Sequence, residues 1–280
     1  MYFQLTEVIG ENVRHRKRFT IRRQVTMAKA KMLLIVLSVL ACGAGTTLAD
    51  DGIGFELTAD YFGKYLWRGQ DLNDDGVFQP GLSASYGGLT AGIWGSLELT
   101  DYTNNENQFT ELDYSVDYSG DFPGLSGVSY SVGLIYYDFP STVVKDTTEL
   151  YWGLGFDLPL SPSITFYHDI DEAEGTYASF GLGHSVDQIA ELSPGVPIGM
   201  EIGASFGWGS GSYNNYYWGI NDSKMNDLTL GVSFPFEVAG MTVTPSFNYV
   251  TLLNDDIKAT DTYRQESDYF FFGIGLVKEF

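Results

Sequence analysis

Beyond residue 50, apolar side chains recur at every second position, the period of a strand with two different faces and not of a helix. The end of the chain shows it most simply. Phe270, Phe272, Ile274 and Leu276 lie two apart, with Phe271, Gly273, Gly275, Val277 and Glu279 between them, and Phe280 falls in phase with the apolar set. Phe55, Leu57, Ala59 and Tyr61 repeat the pattern against Glu56, Thr58 and Asp60. So do Phe78, Pro80, Leu82, Ala84 and Tyr86, and then Leu89, Ala91, Ile93, Leu97 and Leu99 against Thr90, Trp94, Ser96 and Glu98. Leu112, Tyr114, Val116 and Tyr118 alternate with Glu111, Asp113, Ser115 and Asp117. Further segments centre on Val132, Trp152 (against Glu149, Tyr151 and Asp157), Phe166, Phe180, Ile202 (against Glu201), Leu230 and Phe247, which makes twelve strands.

Twelve amphipathic strands with apolar faces predict an all-β fold, a transmembrane antiparallel up-and-down β-barrel. In lipid a sheet must close, because an unpaired edge has no water to bond. The connections alternate in character. Gly87-Gly88 makes a tight turn, and Pro159, Pro162 and residues 235–240 mark compact ones, whereas residues 68–76, 209–225 and 254–268 are long and polar. Short turns on the periplasmic side and long loops outside are the habit of membrane barrels. Residues 187–197 break it, as a long connection on the short-turn side. Tyr61, Trp67, Tyr86, Tyr118, Tyr136 and Trp152 gather near strand ends, as interfacial girdles do. A soluble β-sandwich would also alternate. The terminal aromatic argues against it, since Phe280 resembles the end of the closing strand of bacterial outer-membrane barrels, the segment read by the barrel-assembly machinery.

The start of the chain agrees with export. Residues 1–26, rich in arginine, read as an extension ahead of a true start at Met27. Residues 27–49 read as a signal peptide, with Lys29 and Lys31, an apolar core from 32 to 42, and Thr47-Leu48-Ala49 as the cleavage site. Lipoprotein processing at Cys42 is the alternative. The mature domain is then residues 50–280, without cysteine and hence without disulfides or cysteine metal sites. Seven of the fifteen cations and 34 of the 36 acids remain in it, a net charge of −27 that disfavours nucleic-acid partners.

Tyr65-Leu66-Trp67-Arg68-Gly69, then Gln79-Pro80-Gly81-Leu82 with Tyr86, then Leu89-Thr90-Ala91-Gly92-Ile93-Trp94-Gly95-Ser96 resemble the TorF-type porin family over about a third of the mature chain. In that family an Arg-Gly pair ends the first strand. The resemblance implies an outer-membrane barrel and a porin-like role. It brings no assigned solute, no catalytic residues and no cofactor.

The inward positions carry the candidate chemistry. Glu56, Asp60, Glu98, Glu111, Asp113, Asp117, Glu149, Asp157, Glu201 and Asp227 are expected to line an aqueous lumen and favour cations, since carboxylates facing lipid would be costly. The alternative is that they only solvate the interior. Trp94, Tyr151 and Arg68, with Tyr137, Tyr167 and Tyr177, are expected to narrow the lumen, and residues 209–225, with Tyr213, Tyr216, Tyr217 and Trp218, to fold inward upon it. Asp71, Asn73 and Asp75 match the first half of a calcium loop, but Leu82 stands where a bidentate Glu is needed. His168 and His184 face outward by alternation, with no readable Ser-His-Asp set. The expectation is a non-enzymatic, cofactor-free channel for small polar solutes or cations. The alternatives are a non-conducting surface scaffold for partner proteins and a membrane-embedded hydrolase.

Overall fold

The computed structural model describes residues 52–263 and 266–280. The segments read at residues 1–26 and 27–49, with Cys42, lie outside the described residues, as does Arg264. The strands in chain order are β1 (Gly54–Phe62), β2 (Tyr65–Trp67), β3 (Gln70–Asn73), β4 (Val77–Tyr86), β5 (Leu89–Glu98), β6 (Phe109–Asp121), β7 (Val128–Asp138) and β8 (Thr147–Phe156). They continue as β9 (Ser163–Asp169), β10 (Thr176–Ser193), β11 (Val196–Gly209), β12 (Lys224–Ser233), β13 (Phe236–Val238), β14 (Met241–Leu252) and β15 (Asp268–Glu279). Two short helices, α1 (Gly211–Trp218) and α2 (Asp255–Lys258), interrupt the later loops.

Leaving aside the β2–β3 hairpin and the three-residue β13, twelve strands pair antiparallel with their chain neighbours, and β1 closes on β15. The closure runs from Glu56 opposite Glu279 to Phe62 opposite Gly273. Phe55 and Phe280 exchange both backbone bonds, N–H to O at 3.3 and 3.0 Å. Each of the twelve strands thus has a neighbour on both sides, as a wall in lipid requires. Large apolar side chains stand bare on the outer face: Leu82, Val132, Trp152 and Phe272 are each about half exposed, and Phe270 is 66% exposed. Side chains on that face pair across strands, as where Trp152 stacks on Phe166 at 4.4 Å. So large an apolar exterior around a closed barrel fits a bilayer and not water. The chain is a closed transmembrane β-barrel. Among the described residues no helix is long and apolar enough to cross a membrane.

Three connections differ from expectation. Residues 187–197 are not a long loop: β10 and β11 run on as a hairpin closed by residues 194–195, with Gly195 at φ +84°. Asp187, Gln188 and Glu191 hid it, because a hairpin standing beyond the lipid needs no apolar face. The short-turn rule is thereby restored on that side. Residues 236–238 form β13 against β14 instead of a plain turn. The Arg68-Gly69 pair does not end the first strand, which stops at Phe62; it is the turn of the separate β2–β3 hairpin.

Candidate functional site

The two ends of the lumen are built from different residue types. Toward the short turns the inner face is mostly Ser, Thr and Gly. Gly183, Ser185, Gly203, Gly231, Ser246 and Asn248 leave a cavity of about 450 Å³ beside Glu201, and a second of about 520 Å³ continues toward residues 235–240. A Cβ added at Gly183 or Gly203 would meet only one carbonyl oxygen, at 3.8 Å, so these glycines supply room rather than relieve strain. This half is a small-residue, polar vestibule.

Toward the long loops the lumen is crossed. In the β2–β3 hairpin Arg68 (φ +50°) and Gly69 (φ +80°) are both left-handed, the signature of a two-residue type I′ turn. A Cβ at Gly69 would lie 2.8 Å from Leu252 Cδ2 and 2.9 Å from Asp227 Cβ, so the backbone of the tip reaches the wall made by β14 and β12, beyond β15 from its own base. Tyr65 anchors the hairpin by donating to Glu111 Oε2 at 2.9 Å and packing on Trp94, ring centroids 5.8 Å apart.

Arg68 is the centre of this crossing. Its guanidinium donates twice to Glu149, Nη1 to Oε1 at 2.7 Å and Nη2 to Oε2 at 2.8 Å, the fork-to-fork geometry of a strong pair. The side chains are 8% and 2% exposed. Tyr137 donates to Glu149 Oε2 at 2.8 Å. The rings of Trp67, Tyr167 and Tyr177 lie 4.4, 4.4 and 4.5 Å from the guanidinium carbon, and Tyr213 lies at 6.0 Å, within reach of cation–π attraction. Tyr177 donates to Asp227 at 3.0 Å.

Helix α1 delivers Tyr213. Ser210 caps it by accepting from the Tyr213 N–H at 3.3 Å, and Gly219 ends it at φ +71°. Gln70 Nε2 donates to the Tyr213 hydroxyl at 3.1 Å, which ties hairpin to helix. Tyr217 packs on Trp67 at 5.5 Å. Residues 209–225 thus do fold inward, but as a helix. Trp218 packs into a small core with Leu252 and Ile257.

Of the ten expected acids, Glu111, Asp117, Glu149 and Asp227 each accept a tyrosine hydroxyl inside the barrel, Asp117 from Tyr151 at 2.6 Å. Asp113 has one buried oxygen without a hydrogen-bond partner. Glu98 is buried and accepts from Thr103. Glu56 and Asp60 lie on β1, and Glu201 faces the vestibule, where it accepts from Ser233 at 3.0 Å. Asp157 is a correction: it lies past the end of β8, exposed in the turn, where its N–H bonds to Gly127 O at 2.8 Å. Of the expected constriction, Arg68 stands at the centre, Trp94 backs the hairpin, and Tyr151 packs on Tyr167 at 5.7 Å.

Among the described residues, Arg68 is the one cation buried at the centre of the lumen. Lys64, Lys145, Lys224 and Lys258 are paired with acids in loops or at loop ends, and Lys278 with the Gly240 carbonyl. Lys224 binds Asp222 at 2.9 Å and Asp256 at 3.0 Å, joining two long loops; its hydrogen bond and charge hold the Asp222 carboxyl below the ordinary value.

The calcium-like stretch is split by β3. Asp71 and Asn73 are buried, Asn73 Oδ1 accepts the Asp75 N–H at 2.8 Å, and Asp75 accepts from Thr100 at 3.0 Å. Among the described residues no three His, Cys, Asp or Glu side chains are grouped to hold a metal. His168 and His184 are exposed; His168 Nδ1 is 2.9 Å from Thr176 Oγ1. Sequence reasoning missed Tyr65, Trp67 and Gln70 as parts of the crossing. Its one available signal was an Arg-Gly pair between two short apolar-polar runs, which reads as a type I′ hairpin.

No family model matches the chain. No curated protein matches it. Among solved structures it is similar to the NanC porin, at 11% identity and a TM-score of 0.45 over 79% of this chain and 98% of that one. The KdgM porin compares at 9% identity and a TM-score of 0.45, over 81% and 99%. An outer membrane channel from Pseudomonas putida F1 compares at 9% and 0.39, over 84% and 97%.

Proposed function

We propose that this barrel is a porin-like channel for passive diffusion of small polar solutes, biased toward cations by its carboxylates. The observation that carries this reading is the asymmetry of charge inside. Glu56, Asp60, Glu98, Glu111, Asp113, Asp117, Glu149, Glu201 and Asp227 sit on inner faces, against Arg68 alone among the described residues at the centre. Unneutralised carboxylates in a narrow aqueous path raise the local concentration of cations and exclude anions. The Ser, Thr and Gly vestibule supplies a wet approach. Transport by this route needs no cofactor. The TorF-type relationship is proposed on the same ground: its quoted residues build the crossing hairpin and the two strands, β4 and β5, beside it. The barrel-assembly machinery is the proposed partner of β15 through Phe280. A planar-bilayer recording in a potassium chloride gradient tests the reading. Discrete steps with a reversal potential on the cation side support it, and preferential chloride passage refutes the bias.

One observation favours a second reading. Arg68, Gln70, Tyr213 and Tyr217 fill the extracellular half, as they would in a non-conducting barrel that presents its loops to partner proteins. No conductance steps at any voltage, from protein shown to be inserted, would select it.

A further inference from the structure

The surroundings of Arg68 have the form of a receptor for a guanidinium ion, with the chain's own side chain seated in it. Glu149 offers both carboxylate oxygens to both terminal nitrogens. Tyr137 fixes the carboxylate from behind, and Tyr167, Tyr177 and Tyr213 wall the ion from β9, β10 and α1. None of these five belongs to the hairpin that carries Arg68, so the receptor is built by the barrel wall and a separate loop. Asp113 adds a buried carboxylate oxygen left without a hydrogen-bond partner.

The seated residue is a poor choice for its own backbone. The first position of a type I′ turn favours Asn, Asp or Gly. Arg68 holds φ +50° there, a left-handed conformation that a residue with a Cβ adopts only at a cost. Bidentate contact and ring stacking also distinguish guanidinium from ammonium, which is a compact point charge.

We propose that Glu149, Tyr137, Tyr167, Tyr177 and Tyr213 form a binding site for a monosubstituted guanidinium cation, that Arg68 is its tethered occupant, and that a free guanidinium compound competes with Arg68 for it. The inference deepens the channel reading by naming a solute class: a permeating guanidinium cation replaces Arg68, and the hairpin leaves the lumen. A tether gives Arg68 an effective concentration on the order of millimolar, so the wild-type site resists dilute ligand.

The test is a binding measurement, independent of conductance. Arg68→Ala protein in detergent, its barrel verified by circular dichroism, is titrated calorimetrically with ethylguanidinium and separately with ethylammonium. The expected result is binding of ethylguanidinium at least tenfold tighter than ethylammonium, at least tenfold weaker binding by wild type, and loss in Arg68→Ala/Glu149→Gln. Equal affinity for the two ions, no binding by the folded variant, or wild-type binding as tight as the variant's overturns the proposal. If Arg68→Ala does not assemble, Arg68→Lys keeps a buried cation; it must still prefer ethylguanidinium, and no preference overturns the proposal as well. A channel that conducts without this binding sinks the inference alone, and binding in a barrel that never conducts sinks the channel reading alone.

Discussion

Glu149→Gln is the change that most directly asks whether the hairpin is held by charge. Glutamine keeps the shape and one acceptor oxygen, but its amide nitrogen is a second donor facing the Arg68 donors. Breaking a buried ion pair by removing one partner costs about 3–5 kcal/mol, because the other charge is left uncompensated. The lower end applies here, since the glutamine oxygen still accepts one bond and other carboxylates, Asp227 and Asp113, remain in the lumen. A loss of about 3 kcal/mol is about a hundredfold in the ratio of seated to withdrawn hairpin, at ~1.4 kcal/mol per tenfold. Gln70, on the same hairpin, is only 1% exposed, so Gln70→Cys in a Cys42→Ser background gives a thiol that reacts with a maleimide only when the hairpin withdraws. The lost bond from Gln70 to Tyr213 is common to both proteins and cancels in the comparison. Adding Glu149→Gln raises the modification rate about a hundredfold if the ion pair is the latch. An unchanged rate in an intact barrel would refute the reasoning, and would mean that Tyr65, Gln70 and the stacked rings hold the hairpin without it.

Other outcomes follow from particular contacts. Gly207→Ala drives a Cβ into both Asp227 Oδ1 and the Tyr177 hydroxyl, so the hydrogen bond between them is forced apart, with a loss of about 1–3 kcal/mol in urea unfolding; Gly203→Ala, with room around it, leaves the unfolding midpoint in place. Gly203→Lys sets a cation beside the vestibule, and the reversal potential in a salt gradient moves toward chloride. Lys224→Gln unties Asp222 from Asp256, and a protease nicks residues 210–223 and 253–267 sooner; high salt produces the same change in wild type by screening. Deleting Phe280 removes both backbone bonds to Phe55, and the yield of heat-modifiable barrel in the outer membrane falls while the precursor accumulates.

The barrel was legible because lipid enforces one rule on every strand: Leu82, Trp152 and Phe272 must point out, so the residues between them must point in. Wherever lipid stops enforcing it, the pattern fades. Asp187 and Glu191 belong to β10 where its pairing with β11 shifts register, and they project past the bilayer and read as loop. The crossing hairpin is hidden for the converse reason. Its side chains meet neither lipid nor bulk water, and what selects them is a set of partners far along the chain, 81 positions on for Arg68 and Glu149 and 143 for Gln70 and Tyr213. Alternation placed Glu149 and Tyr177 on the inner face without pairing either with anything. The left-handed turn was the one local mark, since a two-residue reversal at Arg68-Gly69 needs positive φ at both positions. That the first of them is arginine, where the backbone favours asparagine, is the departure from local consistency that functional sites carry. A hairpin selected for closure alone would gain from Arg68→Asn at no cost to its turn. Retaining the strained arginine makes sense only if its guanidinium is needed opposite Glu149.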